Sequence, residues 1–286
     1  MELQARKVAR VIQPEAASDG AGVKLKRSIA SQALDYLDPF LLFDHFGSDN
    51  SDDYVAGFPM HPHRGIETVT YMLAGAVKHR DSSGNAGIIR AGDVQWMTAG
   101  GGIMHEEMPQ LEGGHLNGFQ LWVNLPARMK MIKPRYQEIV ADDIPAIERE
   151  DGVRIRVIAG MVDDVRGSVK EIAADPTYLD ISIPANTSFT HPIPSGHTAF
   201  AYVFAGEGIF GITSDDDGEQ VAAPHLVVFD DGVEVQISAL GNGLRFLLIS
   251  GQPLNEPIAR YGPFVMNTEE EIEQALLDLR RGTFVK

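Results

Sequence analysis

The stretch Phe58-Pro-Met-His61-Pro-His63-Arg-Gly-Ile-Glu67 places two histidines one residue apart, with a carboxylate four positions further on. In an extended strand the side chains at i and i+2 leave the same face. His61 and His63 therefore aim their imidazoles into one shared space, an arrangement that suits a metal ion and that few purely structural settings call for. The surrounding chain reads as a scaffold able to hold such a site.

Working outward, Ile66-Glu-Thr-Val-Thr-Tyr-Met-Leu is rich in β-branched and aromatic residues and runs into Ala74-Gly75. Ala76-Val-Lys-His79-Arg-Asp enters the turn Ser82-Ser-Gly-Asn, and Ala86-Gly-Ile-Ile-Arg leads to a second turn at Gly92-Asp93. Val94-Gln-Trp-Met-Thr, Ile103-Met-His105-Glu106-Glu107-Met-Pro and Asn117-Gly-Phe-Gln-Leu-Trp-Val-Asn-Leu-Pro126 continue the series. Upstream, residues 5–12 read as an opening strand, 14–24 as a loop, and Asp49-Asn-Ser-Asp-Asp53 as an acidic surface loop. Short strands at regular spacing with turn signals predict an antiparallel barrel or sandwich.

A second strand series begins at Val153 and runs through Arg245-Phe-Leu-Leu-Ile. Tyr71-Met-Leu-Ala-Gly75 is matched by Tyr202-Val-Phe-Ala-Gly206, and the turn at Gly92-Asp93 by one near Gly232, which reads as a diverged internal duplication. The connection falls within 127–152, so the expected division is residues 1–135 and 136–286. One helix is predicted at the C-terminus. Thr268 and Glu271 form a capping box, and Ile272, Ala275, Leu276 and Leu279 fall on one face. The fold class read here is all-β, two antiparallel β-barrel domains with a short C-terminal helix.

The chain has 286 residues and no cysteine, which excludes disulfides, iron–sulfur clusters and thiolate catalysis. A metal would be held by nitrogen and oxygen. A formal net charge of −16 sets the surface against phosphate backbones, so direct nucleic-acid binding is not expected. The chain has no transmembrane-length apolar run, and Met1-Glu-Leu-Gln-Ala-Arg-Lys lacks the apolar core of a signal peptide. The expectation is a soluble cytoplasmic protein.

The first half holds His61, His63, Glu67, His79, His105, Glu106, Glu107 and His115. His105 and Glu107 are i and i+2, so they share a face while Glu106 turns away. A strand carrying His61 and His63 opposite one carrying His105 and Glu107 gives three imidazoles and one carboxylate. That set binds a divalent first-row metal and leaves positions free for water, substrate or dioxygen. His79 and His115 have no i+2 partner and are expected at the surface or behind the ligands. His45, in an apolar block, is expected as a satisfied core histidine. His191, His197 and His225 form no His-x-His, so no metal is expected in the second half. Trp96 and Trp122 could line a pocket, with core packing the default expectation for either.

The spacing His61-x-His63-x₃-Glu67…Gly75, followed by Gly92-x₅-Thr98-x-Gly100…His105, resembles the two motifs of the cupin superfamily. Seven residues separate Glu67 from Gly75 where the usual pattern has six, Thr98 stands where proline is common, and Pro109 where asparagine is common. Those departures are similar to one branch, the pirin family. Phe58–Tyr71, Gln95–Gly100, Gly102–Pro109, Gln120–Pro126 and Gly262-Pro-Phe-Val-Met-Asn-Thr all resemble pirin signature segments. The resemblance implies a bicupin with metal in the N-terminal cupin alone. Its ligands would be His61, His63, His105 and Glu107, and Glu67 would be a hydrogen-bonded barrel residue. The implied metal is Fe(2+), with other divalent first-row metals accepted.

The implied activity is that of a quercetin 2,3-dioxygenase, acting on a small aromatic or polyphenol substrate with O₂, and Glu107 is the candidate catalytic base. The alternative implied by the family is an iron-binding, redox-sensitive regulator that binds a transcription factor or metabolic enzyme.

Overall fold

The computed structural model describes residues 5–285. Residues 1–4, part of the stretch read as lacking a signal-peptide core, lie outside the described residues. The described chain is built mostly of antiparallel strands, with one α-helix, Glu269–Arg281. No helix among the described residues is long and apolar enough to cross a membrane.

The strands fall into two compact units, each discontinuous in sequence. One takes its described residues from Glu15–Ala141 and Leu254–Lys286, the other from Met1–Pro14 and Asp142–Pro253. The expected division at 135/136 thus puts both termini with the opposite neighbours. The physical reason is strand pairing. Val8–Ile12 hydrogen-bonds antiparallel to His225–Phe229, and the strand Arg135–Ile139 pairs with Val94–Thr98. At the other end, Phe264–Met266 and the helix pack with residues of the first strand series.

The unit containing His61 has two large sheets besides the two-stranded pair Ala259–Tyr261 and Phe264–Met266. A seven-stranded sheet runs in the order Arg135–Ile139, Val94–Thr98, Ile66–Ala74, Leu116–Asn124, Phe40–Ser48, Val23–Ile29 and Glu15–Asp19. A four-stranded sheet runs Phe58–His63, Ile103–Gln110, Ala76–Asp81 and Ala86–Arg90. The ladders do not close into a cylinder; this is a jelly-roll arrangement of facing sheets. Val23, Leu25, Phe46, Met72, Val77, Ile89 and Leu116 form one apolar cluster from both sheets.

Residues 14–24, expected as a loop, instead contain the strand Glu15–Asp19 paired with Val23–Ile29. Its mostly exposed residues carry no apolar alternation, and its pairing comes from the partner's backbone. The acidic stretch near 50 contains a single 3₁₀ turn, Ser51–Asp53, capped by Asn50.

The second unit holds a nine-stranded sheet, with strands that include Thr177–Ile183, Thr198–Phe210 and Glu234–Gly251. Its interior is apolar, with Phe189, Phe210 and Phe246 in edge-on contact. The repeat read in the sequence has a backbone counterpart. Gly75 and Gly206 adopt φ of 75° and 74°. A Cβ at either position would meet a neighbouring strand's carbonyl, His115 O at 2.6 Å or Gly243 O at 2.0 Å. Glycine admits both the left-handed turn and the close approach.

The helix begins as expected. Thr268 Oγ1 accepts from the Glu271 amide, and Glu271 Oε2 accepts from the Thr268 amide. Ile272 and Ala275 are buried with Phe264, Met266 and Phe284, while Leu276 and Leu279 pack at the edge of that cluster.

Candidate metal centre and cavity

The strand Ile103–Gln110 alternates buried and half-buried residues along its whole length. Ile103, His105 and Glu107 are buried, and Glu106 turns outward to an ion pair with Arg80. On the neighbouring strand, His61 lies opposite His105 and His63 opposite Ile103. The register shifts between His105 and Glu107, so Glu107 pairs with Phe58.

Three imidazoles converge as a result. Ring centroids are 4.4 Å apart for His61 and His105, 4.8 Å for His61 and His63, and 5.1 Å for His63 and His105. Candidate ligand nitrogens of the three lie within 4.8 Å of one another. His61 Nδ1 is 2.9 Å from Pro59 O, and a carbonyl can only accept, so Nδ1 carries the proton and Nε2 carries a lone pair. That Nε2 lies 3.0 Å from His63 Nε2. Two nitrogens each about 2.1 Å from one ion, at right angles, would stand about 3 Å apart. Both ring nitrogens of His105 are buried without a hydrogen-bond partner. Buried polar atoms are seldom left so, and the donor set fits a divalent first-row ion.

Electrostatics favour the metal-binding form of the rings. Burial, then the neighbouring His105 and His61, holds His63 well below the usual imidazole range. Burial, then His61 and His79, does the same for His105. Neutral imidazole is the ligating state. Burial pushes the Glu107 carboxyl up, against the opposing pull of His61 and a hydrogen bond from Thr70. Thr70 Oγ1 lies 3.1 Å from Glu107 Oε1.

A cavity of about 530 Å³ opens beside these residues. His61, His63 and Glu107 line it, as do Phe58, Gln120 and Trp122. Trp122 stands edge-on to His63 at 5.0 Å, and Arg260 lies 5.3 Å over the Trp122 ring while donating to Leu41 O. Arg27 grips Asp44 through Nε and Nη2 at 2.8 and 2.7 Å on another wall.

The remaining candidates separate clearly. Glu67 is 1 % exposed and its Oε1 accepts a 2.7 Å bond from Thr98; neither its carboxylate nor that of Glu107 is in the three-histidine group, but Glu107 lines the cavity and Glu67 does not. His79 is fully buried, stacks on Tyr136 and lies 2.7 Å from Glu138, so it is no surface residue. His115 is exposed. His45 is half-buried and its Nε2 lies 2.9 Å from Asn117 Oδ1. His191 is buried and stacks on Phe189. Trp96 is a core residue, but Trp122 lines the cavity.

Sequence reading missed Thr70, Gln120 and Arg260. The available signal for Gln120 was a polar residue alternating with buried Phe119 and Leu121 on the strand that carries Trp122. No local pattern marks Arg260.

Facing jelly-roll sheets with a three-histidine cluster beside a cavity are the arrangement of a cupin with a candidate metal site. A family model for pirin matches residues 22–123, and one for the pirin C-terminal cupin domain matches residues 178–285. A pirin-like protein of Caulobacter vibrioides is 43 % identical over 280 residues, covering 98 % of this chain and 99 % of that one. The crystal structure of a quercetin 2,3-dioxygenase from Acinetobacter baumannii is 37 % identical with a TM-score of 0.88, covering 98 % of both chains. A bacterial pirin from Escherichia coli, solved in complex with nickel(II), shares the fold at 20 % identity and a TM-score of 0.68, over 85 % of this chain and 99 % of that one. The chain belongs to the pirin family.

Proposed function

We propose that this protein is a metal-dependent dioxygenase that opens the central ring of a flavonol such as quercetin, using O₂ and releasing carbon monoxide. His61, His63, His105 and Glu107 would hold iron(II), with other divalent first-row ions accepted. The observation that carries this reading is the convergence of three imidazoles, two of them lining a 530 Å³ cavity, with unpartnered buried nitrogens on His105. The likeness to the Acinetobacter enzyme supports the same substrate class.

A bound iron(II) would supply redox chemistry and the Lewis acidity that favours the deprotonated, electron-rich form of the flavonol. The chain does the rest. Glu107 takes the phenolic proton, and burial, by raising its carboxyl, makes it the stronger base. Phe58 and Trp122 offer flat apolar surface to an aromatic substrate and exclude water from one side. The guanidinium of Arg260, over Trp122, holds that indole in place.

The test is metal analysis of protein purified without chelator, then oxygen-electrode and carbon monoxide measurements on iron-loaded protein with quercetin. Consumption of O₂ with CO release, lost in His63→Ala and cut at least about 100-fold in Glu107→Gln, is expected for a general base. Iron-loaded protein that leaves O₂ untouched with polyphenols, or a Glu107→Gln variant as active as the wild type, rules the reading out.

A further inference from the structure

Thr70, on the strand Ile66–Ala74, stands between Glu107 and Gln120. Its Oγ1 lies 3.1 Å from Glu107 Oε1 and 2.9 Å from Gln120 Oε1. A hydroxyl has one proton and cannot donate to both oxygens. With Glu107 ionised, as a metal ligand must be, giving that proton to Gln120 would turn a Thr70 lone pair toward a carboxylate oxygen. Thr70 is 3 % and Glu107 8 % exposed, so water does not relieve the conflict.

Exchanging the amide oxygen and nitrogen of Gln120 removes the conflict. The two are nearly isosteric and are told apart by their partners. With Nε2 inward, Gln120 donates to Thr70 Oγ1, and Thr70 gives its proton to Glu107. Every group then has a complementary neighbour. Among the described residues, Thr70 is the group hydrogen-bonded to the Glu107 side chain, through Oε1. Glu107 itself lines the cavity, as do His61 and His63.

We propose that Gln120 and Thr70 form a one-directional donor chain, Gln120 to Thr70 to Glu107, that positions Glu107 for the metal. Both are positioning residues: neither touches the ion, and each acts through the next. The proposal rests on the reading of Glu107 as a metal ligand. Its distinctive content is the direction of the chain. It requires an amide donor at position 120, where the reverse direction would need only an acceptor.

The test is cobalt(II) titration of the metal-free protein, following affinity and the visible ligand-field bands, with circular dichroism as a check on folding. Thr70→Val keeps the shape of the side chain and removes the donor. It is expected to weaken Co(II) binding about 10-fold or more, the usual effect of losing a group that orients a ligand. Its bands should shift as those of Glu107→Gln do. Thr70→Ser should restore the wild-type affinity and spectrum. Gln120→Glu has no amide proton to give and accepts the proton of Thr70 instead, so it should reproduce the Thr70→Val spectrum.

Unchanged binding in Thr70→Val alongside weakened binding in Glu107→Gln overturns the positioning role and leaves Glu107 a ligand. A weakened Thr70→Val with an unchanged Gln120→Glu overturns the direction of the chain. Unchanged binding in Glu107→Gln overturns this proposal and the ligand assignment together. Should Thr70→Val fail to fold, Gln120→Glu decides the matter alone.

Discussion

Asp278→Ala should destabilise the histidine-bearing unit by about 3 kcal/mol, because it strands a buried charge. Arg64, next to His63 in sequence, is 1 % exposed and its Nη1 donates to Asp278 Oδ2 at 2.8 Å. Nη2 donates to Phe284 O at 3.3 Å, and the guanidinium lies 4.4 Å over the Phe284 ring. Unit charges about 4 Å apart at an effective dielectric near 20 attract by about 4 kcal/mol. Removing one partner of a buried pair costs about 3–5 kcal/mol, since the other stays desolvated. The Asp278 side chain is 15 % exposed, which argues for the lower end.

Urea unfolding of metal-free protein, followed by tryptophan fluorescence, measures this directly. Both tryptophans of the chain, Trp96 and Trp122, belong to this unit. With a slope of about 2 kcal/mol per molar urea, the midpoint should fall by about 1.5 M. The double variant Arg64→Met/Asp278→Leu should recover most of the loss, because it removes both charges and fills the space. A single-variant midpoint within about 0.3 M of wild type refutes the reasoning. So does a double variant as unstable as the single.

Three further outcomes are expected. Lys130 is 1 % exposed and donates to Gly65 O, Asn124 Oδ1 and Val265 O. Lys130→Met should cost about 3 kcal/mol or more in the same urea assay, because buried acceptors lose their donor; a loss under about 1 kcal/mol counts against it. His45 and His191 have pKa values lowered by burial from 6.5 to about 4. Folded-state pKa values below the unfolded ones mean stability is complete above pH 6.5 and is lost as pH falls toward 4. Each contributes roughly 3 kcal/mol, and a His191→Gln variant whose stability falls just as steeply over that window contradicts the assignment for His191. Finally, a divalent ion held at 100 times its Kd should add about 2.7 kcal/mol of stability. Scanning fluorimetry should then show a lower Tm after chelation, and an equal response in His63→Ala excludes the histidine site.

The histidine cluster was legible because strand alternation is a local rule. His61 with His63, and His105 with Glu107, are i and i+2 pairs, and the outward turn of Glu106 follows from the same period. The helix was legible for a similar reason, since Thr268, Glu271 and the apolar stripe lie within a few turns. What stayed hidden depends on partners distant in sequence. The edge strand Glu15–Asp19 is held by its neighbour's backbone and carries no apolar pattern. Arg64 and Lys130 look like ordinary surface cations until Asp278, Phe284 and Val265 arrive beside them. Trp122 was assigned by default to the core, and only the cavity shows why it is half-buried. His79, expected at the surface or behind the ligands, is buried behind His105 and Glu107 because their strand and its own are paired.

The exchange of terminal segments between the two units bears on how the protein is made. On the ribosome, residues 254–286 emerge after the strands of the second unit have all been synthesised. Arg64 and Gly65, directly after His63, must wait for Asp278, Phe284 and Val265. The histidine-bearing jelly roll therefore completes its packing only once residues 254–286 have been made, although most of it is synthesised first. A gene cut between the two sequence halves yields neither unit whole.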